Sequence, residues 1–163
     1  MAARSLVPVA SSLGLADANR IVEGTLTAGR THSLLPLTVA VVDAGGHLVA
    51  MQREDGCGIA RIDIALGKAR ATVGMGMSGR TLRDRLAQRI AFQTAVAAAT
   101  DGNFVPVPGG VLVLNPDGQA VGAIGVSGDA SDCDEYVAVA GAQAAGFATD
   151  PAEPLPDWSK ASL

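Results

Sequence analysis

Aromatic side chains are nearly missing: one Trp, one Tyr and three Phe make up 3% of the 163 residues. Neither a base-stacking platform nor an aromatic-lined sugar groove can be built from so few, and the core has to come from Ala, Val, Leu and Ile. Charge is also scarce, at 17% against roughly 25% in an average globular protein. With 48% hydrophobic residues, this excludes disorder for most of the chain. Twelve Lys and Arg against sixteen Asp and Glu give a net charge of -4 and a pI near 5.0. The basic footprint that a phosphate backbone requires is absent, so no nucleic-acid partner is expected. Two cysteines, Cys57 and Cys133, cannot make a multi-bridge framework, and two histidines are too few for a structural zinc domain. The apolar run near the N-terminus follows a single Arg4 and is broken by Pro8, which makes a poor secretory signal. No stretch of about 18 uninterrupted apolar residues exists. The expectation is a cytoplasmic chain with no membrane partner.

What is present is a regular alternation of patterns. Residues 15–31 carry Ile21, Val22 and Leu26 at helical spacing, with Asp17 placed to cap. Residues 37–43 and 47–53 are β-branched-rich runs joined through Gly45 and Gly46, which supply the positive φ of a tight hairpin. Helical spacing returns over 59–73 and breaks at Gly74, Gly76 and Gly79. Thr81 and Asp84 have capping-box spacing for a third helix, and the Ala-rich stretch 90–100 continues or repeats it; both are expected to face the core. Residues 111–114 and 120–126 flank Asn115-Pro116-Asp117-Gly118, a second hairpin. Ser131 with Asp134 then caps a last helix running to about 148. After Thr149, Pro151, Pro154 and Pro156 prescribe an extended arm of the kind that lies on a neighbouring subunit. This order contains no βαβ crossover, so an α+β fold with helices on the faces of an antiparallel sheet is favoured over a Rossmann sheet. The expected division is an N-terminal segment 1–14, a domain 15–148 and a Pro-rich arm 149–163.

Four blocks carry a family resemblance: VAVVDAGGHL at 39–48, DIALGKAR at 63–70, PGGV at 108–111, and VGAIGVSG at 121–128 followed by Asp134 and Glu135. They resemble the GlcG/HbpS-like proteins, which include the C-terminal domain of PduO-type proteins, over roughly residues 15–148. The resemblance implies a profilin-like, three-layer α/β/α fold with a five-stranded antiparallel sheet, a homo-oligomer, and haem as a ligand; it nominates no shared histidine. Where the family helix begins with a Gly-Ser pair, this chain has Ala60 and Arg61.

Several residues invite a chemical reading beside a structural one. Gly74 to Gly79 match GxGxxG, but they follow a helix rather than a strand, so a helix C-cap is favoured over a nucleotide site. Gly109, Gly110, Gly122, Gly125 and Gly128 mark either close helix packing or the wall of a ligand site. Lys68 interrupts the apolar stripe Ile64, Ala71, Met75; it either snorkels to water or meets a carboxylate among Asp43, Asp55, Asp134 and Glu135. Asp134 also has a structural reading as capping partner of Ser131. Arg53, Glu54 and Asp55 are solvated charges or a carboxylate-orienting group. His47 and His32 offer imidazoles to iron or occupy structural positions, and Met51, Met75 and Met77 are core fillers before they are ligands. Cys133, in the first turn of a helix, has no histidine placed beside it by sequence.

The leading expectation is therefore a small organic ligand, haem by resemblance, held between the sheet, the second helix and the PGG loop by Arg53, Gly109, Gly110, Gly125 and His47. The alternative is a cofactor-independent enzyme, a proton-transfer lyase, isomerase or hydrolase acting on a small carbonyl or oxygenated metabolite. There Lys68, Asp43, Asp55 and Glu135 would be the acid-base and positioning groups. An accessory subunit without its own ligand is the third reading. No metal site is nominated.

Overall fold

A computed structural model describes residues 7–163, so Arg4 and Leu6 lie outside the described part. Five strands, β1 (Thr38–Asp43), β2 (Leu48–Arg53), β3 (Gly110–Leu114), β4 (Ala120–Ser127) and β5 (Ala148–Asp150), form one sheet in the order β2-β1-β4-β3-β5. Every pairing is antiparallel. The period of two sends alternate residues to opposite faces. Val39, Val41, Val111, Val113, Ile124 and Val126 point to one side, where α1 (Leu15–Thr31) and α5 (Ser131–Ala144) bring Ile21, Val22, Val137 and Ala142 to the main core. The other side presents Val42, Leu112 and Ala123 to α2 (Ala60–Met75). Helices α3 (Gly79–Leu86) and α4 (Ile90–Ala99) continue from α2. The result is a three-layer α/β/α sandwich, as expected. No helix among the described residues is long and apolar enough to cross a membrane.

The α2 face depends on small residues. Gly125 pairs with Ala40 on one side and Gly110 on the other, so this row of the sheet carries almost no side chain. The α2 backbone fills the space. A Cβ on Gly125 would overlap the Ala65 carbonyl oxygen and come within 2.7 Å of Ala69 N, and one on Gly110 would overlap Thr72 Oγ1. Close helix packing thus accounts for these glycines, and the hollow expected between the sheet, the second helix and the PGG loop is closed.

Four other local expectations change. Gly14, not Asp17, is the N-cap of α1; Asp17 lies in the first turn, where its charge suits the helix dipole, and pairs with Arg20. Helix α3 starts at Gly79 behind Ser78, so Thr81 and Asp84 form no capping box: Thr81 Oγ1 meets Ser78 Oγ at 2.9 Å and Asp84 accepts from Arg83. Helix α5 is capped by Ala130 and ends at Ala144, because the positive φ of Gly146 turns the chain into β5. Helix α4 faces the core only in part: Val96 and Ala97 pack on the cluster of Ala71, Leu82, Leu86 and Phe104, but none of its residues is fully buried, and Ile90 and Phe92 are exposed.

The segment after Thr149 folds onto its own domain. Strand β5 lines the free edge of β3, and a short 3-10 turn at Trp158–Lys160 packs against α5.

Gly125→Ala is expected to destabilise the fold by about 3 kcal/mol or more, because backbone rather than a flexible side chain stands in the way. Chemical denaturation of the purified variant checks this; a wild-type midpoint would contradict the packing account.

Candidate functional site

The close approach of α2 to the sheet carries Lys68 inside. Its side chain is 3% exposed, and Nζ donates to Asp134 Oδ2 at 2.8 Å, so the carboxylate partner is the one at the start of α5. Asp134 Oδ1 accepts from the Asp129 backbone N–H at 3.1 Å. The residue therefore ties the β4–α5 loop to α2 instead of closing a box on Ser131. Burial pushes the Lys68 ammonium below the ordinary lysine range and the Asp134 carboxyl above the ordinary aspartate range, and each charge opposes the other's shift. The PGG loop seals the pair: a Cβ on Gly109 would lie 2.8 Å from Lys68 Nζ and 2.9 Å from Asp134 Cβ.

Glu135 is next to this pair and lacks such support. It is fully buried, and neither carboxyl oxygen has a hydrogen-bond partner among the described residues. The guanidinium of Arg80, on α3, stands 3.5 Å from Oε1, near enough for attraction but not for a hydrogen bond. Burial raises the carboxyl to about 7, with Arg80 and Arg83 opposing and Asp132 reinforcing. Lys68 and Glu135 are thus brought together with Asp134 and Arg80.

The other two residues of the enzyme expectation are elsewhere. Asp43 closes the β1–β2 turn, where Oδ1 accepts from the backbone N–H groups of Gly45 and His47. Burial acts to raise its carboxyl, but those donors and the His47 ring outweigh it and hold Asp43 below the ordinary range. Asp55 lines an exposed corner with Arg30, Pro36, Arg53 and Glu54. There Arg53 donates to the Cys57 carbonyl at 2.6 Å, and Arg30 is held by Glu54 at 2.9 Å. Arg61, near the start of α2, donates to Ser127 Oγ at 3.2 Å.

An open groove of about 410 Å³ lies on a different side of α2, between the β1–β2 turn and α4. Its floor is Ala71, Val73, Met75, Val96 and Phe104, and its polar edge is His47, Arg70 and Asn103. Arg70 is half-buried; Nε donates to the Gly46 carbonyl at 3.1 Å and Nη1 to Asn103 Oδ1 at 2.6 Å, which leaves further N–H groups for a ligand. His47 is exposed, and Nδ1 lies 3.4 Å from Asp43 Oδ1. A carboxylate on Nδ1 orients an imidazole so that Nε2 is the free ligating atom. His47 is the one ligand residue of the sequence reading that this groove contains; Arg70, Phe104 and Asn103 were missed. Arg70 belongs to the DIALGKAR block, so its position in a family motif was the available signal.

Lys68→Met is expected to cost about 3 to 5 kcal/mol, because it leaves Asp134 buried and unpaired. Replacing both partners, Lys68→Met with Asp134→Leu, is expected to recover most of that loss. Urea unfolding of wild type and the two variants gives the comparison, and equal losses in the single and double variants would contradict a buried charge pair.

A family profile described as "Haem degrading protein HbpS-like" matches residues 13–143. Among curated relatives, Protein GlcG of Escherichia coli strain K12 is 37% identical over 93 residues, which is 56% of this chain and 63% of that protein. An uncharacterized 15.0 kDa protein of Citrobacter freundii is 28% identical over 104 residues, 64% of this chain and 72% of that one. Among solved structures, a double mutant of HbpS from Streptomyces reticuli is 32% identical with a TM-score of 0.70, covering 88% of this chain and 94% of that one. A structure described as a PduOC:Heme complex shares the fold, with a TM-score of 0.71 at 21% identity, covering 83% of this chain and 96% of that one. With the profile spanning most of its length, this chain belongs to the HbpS-like family.

Proposed function

We propose that this protein binds a small organic molecule with an apolar body and an acidic edge in the groove between the β1–β2 turn, α2 and α4. The observation that carries the reading is the pairing of an apolar floor with Arg70 and the Asp43-oriented His47 at one edge. A slot of this kind suits a flat ligand: the floor takes the hydrophobic body and Arg70 takes a carboxylate. Haem is the member of that class that the family description supports. The donor set fits it, because His47 would hold iron through Nε2 while Asp43 fixes Nδ1, and Arg70 would hold a propionate. When bound, haem would supply a redox-active iron.

The proton-transfer alternative has less support, since Lys68 is consumed in a sealed ion pair, Asp43 is engaged in the β1–β2 turn, and Asp55 lies at a separate exposed corner. Self-association is a further part of the proposal: α4 carries no charged residue and leaves Ile90 and Phe92 exposed, which supports its burial between copies. Sedimentation velocity of Ile90→Lys is expected to show smaller species than wild type.

Titrating the purified chain with haemin is expected to give a sharp, saturable Soret band. His47→Ala should change the band position, and Arg70→Ala should weaken binding by about tenfold, the equivalent of one charge-assisted contact. Non-saturating absorbance, or a His47→Ala spectrum identical to wild type, would overturn the reading.

A further inference from the structure

The carboxyl of Glu135 has no hydrogen-bond partner among the described residues. Around it stand Lys68 of α2, which is buried, and the partly exposed side chains of Arg80 and Arg83 on α3 and Asp132 on its own helix. The C-terminal segment also borders it: the Leu155 backbone N–H approaches the carboxyl and partly offsets the effect of burial, although it falls outside hydrogen-bond geometry.

That segment is tied down by few and separate contacts. At its start Thr149 Oγ1 donates to the carbonyl of the buried Pro151 at 2.7 Å; beyond it Arg80 donates to the Glu153 carbonyl at 3.0 Å, Gln143 to the Ala152 carbonyl at 2.8 Å, and the Cys133 thiol to the Trp158 carbonyl at 3.4 Å. Trp158 stacks on Tyr136 at 3.8 Å and meets the His32 ring edge-on at 5.1 Å. From Ala152 onward no residue is fully buried. Segments with so little buried surface open at low free-energy cost.

We propose that residues 151–160 form a proton-operated strap, closed over Glu135 while that side chain carries its proton and open once it is ionised. A buried neutral carboxyl tolerates an apolar cover, whereas a carboxylate without a hydrogen bond demands water. The strap lies outside the α-helices and the sheet. Opening would bare the face of Tyr136 on which Trp158 stacks, and Tyr136 also lines a groove of about 580 Å³ between α1 and α5.

The sign follows from the proton's preference. Closed, the carboxyl titrates near 7; open, it returns toward the ordinary 4.5. The closed form binds the proton more tightly, so acid favours closure. As pH rises from about 4.5 to about 7 the open-to-closed ratio grows, up to about 300-fold in all, and it levels off above that window.

Trp158 is the sole tryptophan and sits on the strap, so acrylamide quenching of the full chain reads opening directly. The quenching constant is expected to rise severalfold between pH 5 and 8 in wild type, to stay low across that range in Glu135→Gln, and to keep its rise in His32→Gln. A flat wild-type profile, a rise that survives Glu135→Gln, or one that vanishes with His32→Gln would overturn the proposal. Should Glu135→Gln fail to fold, carboxyl carbon NMR of wild type decides: the buried glutamate must titrate in the same window as the quenching, and separate windows would refute the link.

Discussion

The contact between the backbone of α2 and the middle of the sheet conditions the rest of this molecule. Helices normally rest on a sheet through a layer of side chains, but here Gly125 and Gly110 bring main chain against main chain. Lys68 then has no route to solvent and must take Asp134 as its partner. Because Asp134 is spent on Lys68 and on the Asp129 N–H, it is not free to cap α5, and the acidic residue next to it is left without a donor. Two adjacent carboxyl groups on one helix thus have opposite fates. Asp134 is a fastened structural link, and Glu135 is a buried acid that titrates near neutrality.

The same contact displaces the candidate ligand site. With the face of α2 toward the sheet occupied, the groove forms along its C-terminal half, where it meets the β1–β2 turn and α4. Hydrophobic floor and polar edge come from three chain segments far apart in sequence. The turn contributes the Asp43–His47 pair, α2 contributes Arg70, and the stretch around Phe104 closes one side.

The architecture was legible because its signals are local. Gly-containing turns between β-branched runs mark both hairpins, and periodicity marks α1, α2 and α5, so the layer arrangement followed. Strand β5 was not legible: three residues have no measurable period, and the alanines before them read as more helix. The capping assignments failed for a shared reason. Spacing nominates a Ser or Asp as a cap, but both acids were claimed by cations, Asp134 by the sequence-distant Lys68 and Asp84 by its neighbour Arg83. Helix α4 misled in another way, because apolar composition predicts burial without saying whether the chain itself supplies the cover. At the site, Lys68 stood out as a cation on an apolar stripe, and its partner was among four acids named. Choosing between them required the distance across the α2–α5 gap, which no spacing encodes. Arg70 went unnoticed because a charged residue near the end of a helix looks like ordinary solvated surface.

The transverse row Ala40, Gly125, Gly110 has a mechanical meaning as well. Two residues along the strands on either side, the flanking rows rise again to Val42, Ala123 and Leu112, and to Thr38 and Ser127. Between those ridges the row is a keyway one residue wide, in which α2 is held against sliding along the strands. The axial position of Lys68 and Arg70 is therefore indexed to the sheet like teeth on a ratchet, and any loop length change before α2 must be absorbed in the loop.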